Sequence, residues 1–269
     1  MARSFRRTVR GALVLVLACA GAAVAAPPAP AAAAVGCGTD EGARGVAGAP
    51  SGDAVSVSRA DGRTDQFQVF HDPTATRGLP FVWHRAQTVP GGPYGDWRRV
   101  SAGTVGPKAA FITAVGNARG GLELFWLDHG GFCHAVQGPE GGAWSAPESF
   151  GMRPAPYHGF LTLFKRSNGT LIAMASSGTP GRSMESRTLL ASGGGWRPVT
   201  SMGRVTEENV GLSQPSTVTE LPDRRLKVTA HEWNRDDRFW QITEAAPDDG
   251  RPSGRWPKHW QLCDTSRCG

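Results

Sequence analysis

The chain has 269 residues, enough for one sizeable all-β domain or two small ones with a full core. Gly 36 and Pro 20 make up about a fifth of it, which excludes a fold built on long helices and suits many short strands. Basic residues outnumber acidic ones by 29 to 23, but four of the arginines fall in the first ten positions; without them the balance is nearly even, which removes any long-range pull toward nucleic acid.

Residues 1–34 read as a secretory signal peptide. Arg3, Arg6, Arg7 and Arg10 form a charged start, Gly11 to Val24 an apolar run, and alternating Ala and Pro offer cleavage after Ala26 or near Ala34. The apolar run is short and no basic stop-transfer flank follows, so no membrane insertion is expected after signal removal. Val16-Leu17-Ala18-Cys19 is a poor lipoprotein site. The expected location is secreted and extracellular. A Gly/Ala-rich segment, 35–50, follows the signal.

The cysteines agree with export. Cys37, Cys133, Cys263 and Cys268 remain after the signal, an even number that allows three pairings. Cys263 and Cys268 can close a small loop, or one of them can reach Cys37 and tie the two ends together; the tie is the pairing expected here. Metal binding is disfavoured, since there is no Cys-x-x-Cys and no His-x-His or His-Glu-x-x-His. No cofactor is expected.

The region 51–262 contains an internal repeat. A first copy runs Asp61–Phe70 (DGRTDQFQVF), Phe81–Gln87 (FVWHRAQ) and then PGGPYGDW to Trp97, with an insertion at Pro73–Leu79. The second, Gly120 to Trp144, is the clearest: Leu122, Leu124 and Trp126 alternate on one strand, Phe132, His134 and Val136 on the next, with a Gly-bearing turn between them. A third copy comprises Ser167–Ala175, Glu185–Ala191 and SGGGW to Trp196; a fourth comprises Asp223–Ala230 and Phe239–Ala245, ending near Trp256 or Trp260. Upstream of each lies an apolar run: Ala54–Val57, Ala109–Val115, Phe160–Phe164 and Pro215–Thr219. On this alignment His84, His134, Arg187 and Gln241 are equivalent, as are Asp65, Glu123, Ile172 and Lys227. Four strands per copy of about fifty residues predict an all-β fold, a β-propeller with about four to five blades visible. The expected blades are about 51–102, 103–151, 152–203 and 204–262, with 263–269 a Cys-containing tail. A β-sandwich fits the strand count but explains the spacing less well.

The succession DGR…F.VF, WHR.Q and PGG…W (Asp61–Trp97), with GGLELF, FCHAVQ and GGAWS (Gly120–Ser145), resembles the PLL-like bacterial lectin propellers over about residues 50–260. That resemblance implies fucose-type sugar sites in pockets between neighbouring blades. Only four copies are visible where those lectins close seven.

The residues that can carry such a function are the indoles and the polar groups beside them. Trp97, Trp144 and Trp196 follow Gly-rich loops, and an indole at a blade rim is either a packing wedge or a platform for a sugar ring. Trp83, His84, Trp126, His134, Arg187 and Trp240 complete the candidate ligand-binding set, the histidines supplying hydrogen bonds to hydroxyls. Gln87 and Gln137 read as polar residues flanking the ladder. Glycans or glycoconjugates are the expected partners. For catalysis, Asp65 and Glu123 are the only carboxylates at repeat-equivalent positions, and they belong to different blades; no Ser-x-Asp-x-Gly-x-x-Trp or Gly-x-Ser-x-Gly occurs. The reading leans to a binder, with a glycoside hydrolase-type propeller or a protein-binding scaffold as alternatives.

Overall fold

The computed structural model describes residues 37, 49–72, 79–101, 111–128, 131–139, 141–155, 160–179, 182–207, 210–233, 235–246 and 256–263. The proposed signal, the insertion at 73–78 and Cys268 lie outside these residues.

Sixteen strands and no helix occur among the described residues, and they form four antiparallel sheets of four strands each. Sheet 1 is β1 (Pro50–Ser58), β2 (Thr64–Asp72), β3 (Leu79–Ala86) and β4 (Arg98–Arg99). Sheet 2 is β5 (Ile112–Gly116), β6 (Leu122–Asp128), β7 (Gly131–Gln137) and β8 (Glu148–Ser149). Sheet 3 is β9 (Thr162–Lys165), β10 (Leu171–Ser176), β11 (Met184–Leu189) and β12 (Thr200–Ser201). Sheet 4 is β13 (Leu212–Glu220), β14 (Leu226–Glu232), β15 (Arg235–Thr243) and β16 (Gln261–Cys263). Each is a meander in chain order. Four separate sheets exclude the two-sheet sandwich. The expected upstream runs overlap β1, β5, β9 and β13, although Phe111, Phe160 and Leu161 precede their strands and residues 109–110 are not described.

The sheets stack face to face in sequence order, the layout of successive propeller blades. Phe67, Val69 and Val82 of sheet 1 meet Leu122, Leu124 and Trp126 of sheet 2. Phe125, Phe132 and Phe150 on the opposite face of sheet 2 meet Leu161, Ala173 and Ala175 of sheet 3. Ile172, Met174 and Met184 of sheet 3 meet Val228, Trp240 and Ile242 of sheet 4. Sheets 2 and 3 are therefore covered on both sides, which is why β6 (LELFWLD) and β10 (LIAMAS) are apolar at nearly every position instead of alternating. Each fully buried Leu or Phe contributes about 1.5–3 kcal/mol by transfer from water.

The first hairpin of every sheet turns in the same way. Arg59, Asn117, Arg166 and Leu221 each donate a backbone N–H to the carbonyl four residues on, at 2.8–2.9 Å. The third residue of the turn has positive φ in all four copies: Gly62, Gly120, Gly169 and Arg224, the last at 67°. Glycine occupies this left-handed position without steric cost, whereas an L side chain is strained there. These turns set the copies in register, and the seam contacts below follow from it.

The cysteines pair differently from the expectation. Cys37 is bonded to Cys133 on β7, not to a C-terminal partner. Cys37 packs against the core between sheets 1 and 2, on which Cys133 also lies, whereas Cys263 sits on the last strand of sheet 4. Cys263 is also disulfide-bonded, to a partner outside the described residues. It belongs to β16 and so to the last sheet, not to a tail beginning at 263.

Candidate functional site

Counting from the hairpin turn gives the equivalences that matter. Asp65 and Glu123 are each six residues past the start of the turn, and Phe67 and Phe125 two residues further on. Phe67 pairs with His84 across the ladder, and Phe125 with His134. Both phenyl rings stack on their imidazoles, with centroids 4.9 and 4.7 Å apart and planes 24° apart in each case. Into each cluster the next sheet inserts an indole edge-on: Trp144 meets Phe67 at 5.7 Å, and Trp196 meets Phe125 at 5.6 Å. The unit is thus a carboxylate, a Phe and a His from one sheet and a Trp from the following one.

In the first seam Asp65 is fully buried. It accepts from Arg59 Nε at 2.5 Å and Nη2 at 2.8 Å, and His84 Nε2 lies 2.5 Å from its Oδ1. The indole Nε1 of Trp144 donates to His84 Nδ1 at 3.4 Å. An indole N–H only donates, so Nδ1 is the acceptor in this contact, and Nε2 faces Asp65. Arg59 Nη2 also donates to Gln137 Oε1 of sheet 2, while Gln137 Nε2 donates to the Gly142 carbonyl at 2.8 Å and so ties down the loop before Trp144.

In the second seam the lengths are exchanged. Asn117 stands where Arg59 does and Glu123 where Asp65 does, so a short amide meets a longer carboxylate. Asn117 Nδ2 donates to Glu123 Oε1 at 2.8 Å, and His134 Nε2 lies 2.5 Å from Oε2. The extra methylene of Glu123 carries its carboxylate to the indole, and Trp196 Nε1 donates to Oε2 at 3.2 Å. His134 Nδ1 faces Glu148 Oε1 at 3.6 Å, so this imidazole has a carboxylate on each nitrogen.

Both buried carboxylates stay ionised. Burial pushes the Asp65 carboxyl up, but hydrogen bonds from His84 and Arg59, with the charges of both, outweigh it and hold the group below its ordinary value. Burial likewise raises Glu123, and hydrogen bonds from His134, Asn117 and Trp196, with the imidazole charge, bring it below the usual carboxylate range.

The third seam has lost the unit. Ile172 replaces the carboxylate, and Arg166, at the position of Arg59, reaches into sheet 4 to pair with Glu244 at 2.6 Å. Gln137 and Glu244 are equivalent, so this is the Arg59–Gln137 latch with a charge added.

A pocket opens beside the Trp in each of the first two seams. The one between sheets 1 and 2 has a volume of about 690 Å³ and is lined by His84, Arg98, Gly141, Trp144 and Ser145 among others. The one between sheets 2 and 3 is about 280 Å³ and is lined by Glu123, His134, Glu148, Gly193 and Trp196 among others. Each holds a half-exposed indole whose N–H is anchored on buried groups, with a glycine-rich loop at its lip.

The expected site residues divide between pocket and core. His84, Trp144, His134 and Trp196 come together at the two seams, as paired above. Trp126 and Trp240 are core side chains, 1% and 2% exposed, and Trp83 is 1% exposed against Phe70, so none offers a platform. Trp97 is not the partner of Trp144 and Trp196. Gln87–Tyr94, Gln137–Trp144 and Leu189–Trp196 are the equivalent bridges, so Tyr94 holds the Trp position in the first copy. Trp97 packs on Phe70 beneath Arg85, whose guanidinium is 4.5 Å from its ring centroid. The Gly-Gly-x-aromatic spacing of Gly91-Gly92-Pro93-Tyr94 carried that information. Arg187 is one residue off: Ser186 is equivalent to the histidines, since Met174 pairs with it as Phe67 does with His84. Arg187 instead points toward sheet 2, binding the carbonyls of Phe150, Trp196 and Arg197 and stacking on Phe150 at 4.6 Å. Gln87, like Gln137, clamps its glycine loop, donating to the Gly92 carbonyl at 3.1 Å. The residues missed by sequence reasoning are Arg59, Asn117 and Glu148, whose partners are recognisable only across the ladder or the seam.

Among the described residues no cluster of His, Cys, Asp and Glu is arranged to hold a metal ion, and no helix is long and apolar enough to cross a membrane. No protein-family description and no curated protein matches the sequence. Solved structures do match in fold. An α-L-arabinofuranosidase from Fusarium graminearum in complex with an iminosugar inhibitor aligns with a TM-score of 0.50 at 11% identity, over 82% of this chain and 71% of that one. A β-1,3-galactosidase with galactodeoxynojirimycin aligns at 0.40 and 15% identity, over 77% of this chain and 75% of that one. The NanB sialidase of Streptococcus pneumoniae aligns at 0.44 and 14% identity, over 77% of this chain but 28% of that one. At such identities the likeness concerns the fold alone.

Proposed function

We propose that this chain is a secreted, lectin-like β-propeller protein that binds carbohydrate in the seams between consecutive sheets. The observation that carries the reading is the repetition of one built pocket. At two equivalent seams a half-exposed indole stands beside a buried His–carboxylate pair, with a glycine-rich loop letting backbone approach a ligand. An indole held by its N–H presents a rigid apolar wall suited to the C–H face of a sugar ring, while neighbouring polar groups meet hydroxyls. The resemblance of Asp61–Trp97 and Gly120–Ser145 to the PLL-like lectins supports the same reading. Two disulfide-bonded cysteine sites on the described chain accord with an oxidising compartment.

The hydrolase alternative is weakened by the state of its best carboxylates. Asp65 and Glu123 are buried, ionised and committed to separate seams, so neither has a proton to give a leaving group. A single ring in such a pocket engages few atoms. Each site is expected to bind in the range of about millimolar to tens of micromolar, with avidity across two seams supplying further strength.

The test is a glycan array followed by calorimetric titration of the hits, on the parent and on Trp144→Leu and Trp196→Leu variants whose fold is checked by circular dichroism. Binding that weakens about tenfold or more in one variant per seam supports the reading. No binding to any glycan, or binding unchanged in both variants, overturns it.

A further inference from the structure

The two pockets occupy equivalent seams, but they differ in charge at an equivalent position. Across the ladder from His84 stands Arg98, and across the ladder from His134 stands Glu148. The same place in the third sheet holds Thr200, opposite Ser186. Arg98 and Glu148 are both solvent-exposed, and each lines the pocket of its own seam.

The surroundings reinforce the contrast. The first pocket is also lined by Arg63, Arg85 and Arg99, against one acid, Asp96. Three of these cations are engaged: Arg63 pairs with Asp61 at 2.7 Å, Arg85 donates to Gln66 and lies over Tyr94, and Arg99 lies over Phe81. Arg98 is the cation there with its guanidinium exposed and no side-chain partner among the described residues. The acid behind His84, Asp65, is already paired with Arg59. In the second pocket Glu123 and Glu148 flank His134, with Arg119 as the balancing cation. One pocket is therefore electropositive and the other carries an exposed carboxylate beside its imidazole.

Building on the carbohydrate reading above, we propose that the first seam is specific for a sugar ring bearing an anionic group, a carboxylate or a sulfate, and that the second seam excludes such a ring and accepts a neutral one. Arg98 is the residue that selects for the anion. Its planar guanidinium can donate two parallel N–H bonds to a carboxylate or to two sulfate oxygens, while the ring lies against Trp144. Glu148 selects against the anion in the second seam, because a like charge placed beside it meets repulsion and the two acids of that pocket outnumber its one lining arginine. The two seams then read different residues of one heteropolymer, and an acidic polysaccharide with alternating charged and neutral units would engage both.

The experiment compares matched pairs by calorimetric titration: methyl glucuronide against methyl glucoside, methyl galacturonide against methyl galactoside, and galactose 6-sulfate as the sulfate arm. The proteins are the parent, Arg98→Glu, Arg98→Ala, Glu148→Arg and Glu148→Gln; both positions are exposed, so the fold is retained. The first seam, read alone in a Trp196→Leu background, is expected to prefer the anionic member by about tenfold, the worth of one good charge-assisted hydrogen-bonded pair. That preference should fall when salt is raised from 50 to about 500 mM, as screening shortens. Arg98→Glu should remove anionic binding at the first seam, and Glu148→Arg should raise the number of anionic sites from one to two. Stronger binding of the uronates than of the sulfate identifies the carboxylate as the natural anion, and the reverse identifies the sulfate; either supports the site. In the Trp196→Leu background, equal affinity for charged and neutral members, or a preference unchanged by adding Arg98→Glu, overturns this proposal while leaving the sugar reading in place. Failure of every sugar to bind overturns both.

Discussion

Trp144 donates its indole N–H to Nδ1 of His84, 3.4 Å away and sixty positions earlier in the chain. The contact joins the loop of one sheet to the third strand of the one before, and it orients both groups at the mouth of the first pocket. Pocket wall and seam staple are the same side chain.

Trp144→Phe should therefore lower stability as well as ligand affinity. The ring is largely kept, but Nδ1 of His84 loses its donor. The loss of one such hydrogen bond is worth about 0.5–1.5 kcal/mol. A double-mutant cycle with His84→Gln, followed by urea denaturation, should return a coupling energy of that order. Additive effects of the two substitutions would show that the contact contributes nothing.

Acid should loosen the first two seams. Asp65 and Glu123 have folded values below their ordinary ones, so each contributes stability that is fully present above its unfolded value, about pH 4, and is lost as pH falls through the lower folded value. Asp65→Asn should be clearly less stable than the parent at pH 7, and the gap should narrow as pH falls below about 4. Thermal melts at a series of pH values read this directly; a gap independent of pH would contradict the ionised state of Asp65.

The third seam holds a buried ion pair. Arg166 and Glu244 have side chains 0% and 2% exposed and are 2.6 Å apart. Glu244→Gln leaves the guanidinium charge buried without its counter-ion and should cost about 3–5 kcal/mol. Adding Arg166→Met removes that charge, and the double variant should recover most of the loss in a urea titration.

At the fourth hairpin Arg224 holds the left-handed position that glycine holds in the other three copies. Arg224→Gly should raise stability by up to about 1 kcal/mol, the relieved strain exceeding the added freedom of the unfolded chain. The melting temperature should rise by about 2–4 °C. Gly120→Arg, the reverse change at the second hairpin, should lower it.

The Cys37–Cys133 bond closes a loop with a sequence separation of 96. Loop entropy for a span near this length is worth about 4.7 kcal/mol. Replacing Cys37 by Ser, which leaves the Cys263 disulfide untouched, should shift the urea midpoint downward by a corresponding amount. Peptide mapping of the oxidised protein should recover the 37–133 cross-link.

What the sequence alone determined is local. Period-two patterning and Gly-bearing turns placed the strands, and spacing of about fifty residues identified four copies, with Asp65, Glu123, Ile172 and Lys227 correctly equivalent. These are legible because turn chemistry and side-chain alternation act within a few residues. Tertiary structure decided everything that depends on which face a side chain takes or which sheet it meets. A slip of one residue made Arg187 the equivalent of His84 where Ser186 is, and in a strand one residue turns the side chain to the opposite seam. Trp97 looked like the partner of Trp144 because both are indoles, although the β-bridge register gives that place to Tyr94. Trp126 and Trp240 read as platforms until neighbouring sheets covered them. The pairing of Cys37 with Cys133 and the latch from Arg59 to Gln137 arise only when the chain packs in three dimensions, and the equivalence of Arg98 and Glu148 only when the ladder register is set. Their energies come from contacts between segments far apart in the chain, which no local pattern encodes.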